Sequence, residues 1–87
     1  MIQAAIRERA PAGEPLTDYD REHAILYLRL LDAEAAGADW RDVAQVVFGI
    51  DPGGDEARAQ TMYATHLDRA KWVRDGGYSE LLTKPQR

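Results

Sequence analysis

The sequence predicts an all-α fold, a small single-domain helix-turn-helix variant with three main helices and a short C-terminal helical turn. Three observations lead there. The stretch 37–49, GADWRDVAQVVFG, is a short segment with one apolar face and a helix-stopping glycine at each end. Longer segments with helical apolar spacing precede and follow it, which makes the order long helix, tight turn, short helix, loop, long helix. The chain has 87 residues and no cysteine, so one core must form by packing alone, without disulfides or a cysteine zinc site.

Residues 1–10 contain one large apolar pair at i, i+4, Ile2 and Ile6, and predict at most a frayed helical turn. Pro11, Gly13 and Pro15 then interrupt regular structure, so 1–15 reads as a flexible N-terminal arm, either a linker or an extended segment lying on the domain. Thr17 is a good N-cap for the first long helix. Asp20, three residues on, completes a shortened capping box, and Gly37 closes the helix. Its apolar residues form two lines. Ala24, Tyr27, Leu28, Leu31 and Ala35 share one face, while Tyr19, His23, Leu26 and Leu30 share another. The second line either packs against another helix or stays partly open, with Leu26 and Leu30 as a protein-binding surface.

In the short helix Asp39 is the cap, Trp40 a packing anchor, and Val43, Ala44 and Val47 the buried face. Arg41, Asp42 and Gln45 point away from it, toward any partner. Residues 50–55, IDPGGD, form a loop, and Asp55 caps the last helix over about 56–75. Ala59, Tyr63, His66, Leu67, Ala70 and Val73 make the buried side of that helix, with Met62 at the edge. Arg58, Thr61, Thr65, Asp68 and Trp72 lie on the opposite side. Trp72 is either covered by the arm or the final turn, or serves with Arg58 and Arg69 as an anchor for another protein. Residues 78–82 fold back as a turn that ends the domain 16–82, and 83–87 form a disordered tail.

Chemistry is sparse. His23 and His66 sit on different segments without a metal-ligand spacing, the single Ser79 has no nucleophile elbow, and no glycine loop cradles a phosphate. The expectation is a non-enzyme without cofactor, metal or small-molecule ligand. No apolar run approaches a membrane span, which predicts a cytoplasmic protein with no membrane partner. Fifteen acidic against eleven basic side chains give a formal charge of −4. The last helix balances Arg58, Arg69, Lys71 and Arg74 against Asp55, Glu56, Asp68 and Asp75, and it starts with acid where a DNA reader needs neutral or basic residues. On charge, DNA binding is not expected.

The segment LTDYDREHAILYLRLLDAEAAGADWRDVAQVVFG, with GGY at 76–78, closely resembles the compact bacterial helix-turn-helix variants first catalogued as domain of unknown function 2285. The resemblance spans 16–82. Members of that family occur in transcriptional activators of integrative and conjugative elements, and alone as antiactivators of the QseM type. The resemblance implies a transcriptional antiactivator that holds LuxR/TraR-type and FseA-type transcription activators inactive by protein–protein contact, repressing excision and conjugative transfer. Leu26, Leu30, Arg41, Gln45, Arg58, Thr61, Thr65, Arg69 and Trp72 are the candidate contact residues. A DNA-binding helix-turn-helix regulator is the alternative.

Overall fold

The computed structural model describes residues 6–13, 15–51 and 53–76, and within them it is all-α. The helices are α1 (Asp18–Glu22), α2 (Ala24–Ala35), α3 (Trp40–Val43), which runs on into a π-helical turn over Ala44–Phe48, and α4 (Glu56–Asp75). The final turn and tail expected over 78–87 lie outside the described residues.

The expected capping box is present. The Thr17 hydroxyl accepts from the Asp20 N–H, and the Asp20 carboxylate accepts from the Thr17 N–H. The single long helix expected after it is instead broken at His23, whose ψ of 23° leaves the helical region. The His23 ring donates from Nδ1 to the Tyr19 carbonyl at 2.8 Å, an oxygen that also accepts the His23 N–H. The ring also stacks on Tyr19, centroids 3.9 Å apart.

α2 is the central element. Leu26 and Leu30 pack with Val43 and Leu67, while Tyr27 packs with Ala70 and Val73. The Leu26–Leu30 line is therefore buried, while in the other line Tyr27 is buried, Ala24, Leu28 and Leu31 are half-buried and Ala35 is exposed. Leu26 and Leu30, at 6% and 0% exposure, form no open protein-binding surface: α3, its π-turn and α4 cover them.

The short helix starts at the expected cap, with the Asp39 side chain accepting from the Arg41 N–H. It ends at Gly49, whose φ of 68° is left-handed and lets Gly49 and Ile50 donate back to Gln45 and Ala44. The π-helical turn leaves Val46 fully outside while Val47 and Phe48 turn toward the core. Asp55 caps α4 by accepting from the Arg58 N–H.

The arm lies along α4. Glu8 meets Arg58, the Ala10 N–H donates to Thr65 Oγ1, and the Gly13 carbonyl accepts from Arg69. These contacts follow one another in the same order along the arm and along α4.

Candidate functional site

α4 follows the loop of the helix-turn-helix and, with 20 residues, is the longest of the described helices. Helical geometry divides its surface into strips. Ala59, Met62, His66, Leu67, Ala70 and Val73 are buried in the core. Arg58, Thr65, Arg69 and Trp72 lie under or against the arm. Ala57, Gln60, Ala64 and Asp68 are exposed at helical spacing and share the outward face, with half-buried Thr61 and Lys71 at its edges. Ala57, Gln60 and Ala64 on its first turns are uncharged, and exposed Glu56 lies one turn before Gln60.

Of the site residues expected from the sequence, Arg58, Thr65, Arg69 and Trp72 lie together along the arm, whereas Leu26 and Leu30 are in the core and Arg41 and Gln45 are on the short helix. Arg41, on α3, pairs across the loop with Glu56, so the acidic start of α4 is partly neutralised from outside the helix. Gln45 is exposed on the same short helix as Val46. Arg58 faces Glu8 of the arm at 3.6 Å. Thr65 is half-buried, its hydroxyl holding the arm through the Ala10 N–H at 3.2 Å. Trp72 is half-buried under the Arg69 guanidinium, 3.9 Å from its ring. A groove of about 360 Å³ runs between the arm and this strip, lined by Arg9, Pro11, Thr65, Asp68 and Trp72.

Arg69 corrects the sequence reading most directly. It is 4% exposed and forks onto Asp20, with Nε–Oδ1 at 2.9 Å and Nη2–Oδ2 at 2.7 Å. Its remaining donors reach the carbonyls of Gly13 and Pro15. A side chain so enclosed makes no contact with a partner. Asp20 also accepts from the Tyr27 hydroxyl at 2.7 Å. Burial works against its ionisation, but the Arg69, Thr17 and Tyr27 hydrogen bonds outweigh that and hold its pKa down at about 2. For Tyr27 burial and the Asp20 carboxylate both push the pKa up.

Next to this pair lies a second buried relay. His66 donates from Nδ1 to the Met62 carbonyl, which leaves Nε2 of the neutral ring to accept from the Tyr19 hydroxyl at 2.6 Å. The Tyr19 oxygen in turn accepts from the Arg7 N–H at 2.9 Å. Burial, with the nearby His23, lowers the His66 pKa against the opposing effect of the Met62 hydrogen bond.

The residue pairs that hold the arm lie 12 and about 55 positions apart, and nothing local in the sequence marks them. By contrast, Ala57, Gln60 and Ala64 could have been found from their spacing. Small and neutral side chains carry no chemical signal of their own.

The family described as "T6SS, Transcription factor, DNA binding domain", the RovC-type DNA-binding domain, matches residues 2–83. The chain belongs to this family. No curated protein matches the chain. The RovC-type family supports the expected small bacterial regulator domain, but not domain of unknown function 2285 or the QseM type in particular. It is a DNA-binding transcription-factor family, which overturns the expectation against DNA binding and gives no support to LuxR/TraR-type and FseA-type activators as partners. The charge argument failed for a physical reason. Arg69 is matched by a buried carboxylate on α1 and Glu56 by Arg41 on α3, which leaves α4 still balanced, so a count over this helix alone misses cations that other segments supply. No described helix is long and apolar enough to cross a membrane.

Proposed function

We propose that this chain binds duplex DNA as the reading domain of a transcriptional regulator, with the outward face of α4 entering the major groove. The observation that carries the proposal is the neutral, small-residue face of Ala57, Gln60 and Ala64 on the first turns of a helix that follows a helix-turn-helix loop. Recognition helices present their N-terminal turns to base edges. Gln60 suits the paired donor and acceptor of adenine, and the methyls of Ala57, Ala64 and Thr61 suit thymine. Small side chains at the front also let the helix approach the groove closely. By the family's description, we further propose that the genes it regulates belong to T6SS.

Selection of binding sites from a random duplex pool tests this. We expect an enriched sequence, bound with an affinity that falls steeply with salt. Gln60→Ala should cost about 1–3 kcal/mol on that sequence and relax the choice at one position. Ala64→Glu should abolish binding while leaving the fold intact. Failure to retain any duplex at about 50 mM salt, where non-specific contacts are strong, would reject the proposal.

A further inference from the structure

Building on the DNA-binding reading, we infer that the N-terminal arm, through Arg7 and Arg9, supplies the phosphate-contacting cations beside the reading face of α4. The helix itself has few to offer. Among the described residues Arg41 pairs with Glu56, Arg58 with Glu8, Arg69 with Asp20, Lys71 with Glu34 and Arg74 with Asp75. Arg7, Arg9 and Arg29 are the described cations without a carboxylate partner. Two of these three are on the arm.

The arm is also fixed in place. The Arg7 N–H is held by Tyr19, the Ala10 N–H by Thr65 and the Gly13 carbonyl by Arg69. These tethers lay the arm along α4 from Arg58 to Arg69, with Arg9 lining the groove beside Thr65 and Asp68 and Arg7 held at Tyr19 of α1. The Arg7 guanidinium rests over the Tyr19 ring, 4.6 Å from its centroid, and the residue is exposed, as is Arg9. A charge with no carboxylate partner gives up no ion pair on meeting a phosphate, whereas each paired arginine of α4 must first release one. Arms that reach the backbone or minor groove beside a recognition helix are a known solution to the same geometric problem. Phosphate contact is the assignment here, because an exposed cation on a tethered backbone has its position set and its reach limited.

Arg29 provides an internal control. It is equally unpaired, but it lies on the outward side of α2 with Ile25 and Asp32, away from α4. The experiment measures the affinity of the full chain for its selected duplex, and for a scrambled duplex, against salt. It uses the wild type and the Arg7→Gln, Arg9→Gln and Arg29→Gln variants, each checked by thermal unfolding. For Arg7→Gln and Arg9→Gln we expect the slope of log affinity against log salt to become shallower by about one each, equally on both duplexes. Arg29→Gln should keep the wild-type slope. Unchanged slopes for both arm variants, or an equal change for Arg29→Gln, would overturn the arm's role and leave DNA binding standing. A loss confined to the selected duplex would overturn phosphate contact in favour of base reading. A wild type that binds neither duplex would overturn both readings together.

Discussion

Asp20 closes the capping box of α1 and takes both arms of the Arg69 guanidinium, so one carboxylate couples the first helix to the last across 49 residues. Removing one partner of a fully buried pair leaves the other charge without water or counter-charge. Arg69→Ala should therefore cost about 3–5 kcal/mol in urea unfolding, and Arg69→Lys less, since it keeps the charge but loses the fork. Acid should act through the same residues. Asp20 binds a proton less readily folded than unfolded, so its stabilisation is complete above the ordinary carboxylate value of 3.8 and is lost as pH falls toward about 2. His66 also has a lowered folded pKa. The unfolded chain takes up the proton first, so stability declines as pH drops below the ordinary value of 6.5. A His66→Gln variant should flatten that first decline and keep the one at lower pH, as followed by unfolding midpoints across pH. The capping role of Asp20 was legible from its distance to Thr17. Its pairing with Arg69 was not, because no local spacing encodes a contact between residues so far apart.

At the scale of elements, the sequence was most informative where the ends are set by local chemistry. Thr17, Asp39 and Asp55 accept from the helix N–H groups as their positions predict, and Gly49 ends its helix at a φ of 68°. Nothing lies within 4 Å of an added Cβ at Gly49, so a substitution there meets backbone strain alone. Gly49→Ala should destabilise by about 1 kcal/mol and Gly49→Asn by less, measured by thermal unfolding. Interior departures were harder to read. The break at His23 and the π-helical turn at Ala44–Phe48 fall inside segments whose apolar spacing is helical throughout. Periodicity reports which residues are apolar, and it is blind to both. The same limit applied to the first long helix. Its two apolar lines were plain in the sequence, but whether the Leu26–Leu30 line was open or covered depended on where α3 and α4 came to rest.

At the scale of the whole molecule, burial divides residues that look alike in sequence. Leu30 is fully buried between α3 and α4, whereas Ile25, on the same helix, is 57% exposed. Leu30→Ala should cost about 2–5 kcal/mol and Ile25→Ser less than about 0.5 kcal/mol, a contrast that denaturant unfolding reads directly. Charge follows the same logic. A net of −4 is a sum over every surface, yet a DNA reader needs only one face on which cations remain available. By itself the sequence determined the helical class, the helix-turn-helix order and the caps, because each is encoded by residues within a turn or two of one another. Only the tertiary structure decided that Arg69 is an internal strut, that Leu26 and Leu30 are core, and that the arm lies against α4 with Arg7 and Arg9 outward. Those facts depend on pairings between distant segments, and burial and charge availability exist only once the segments have met.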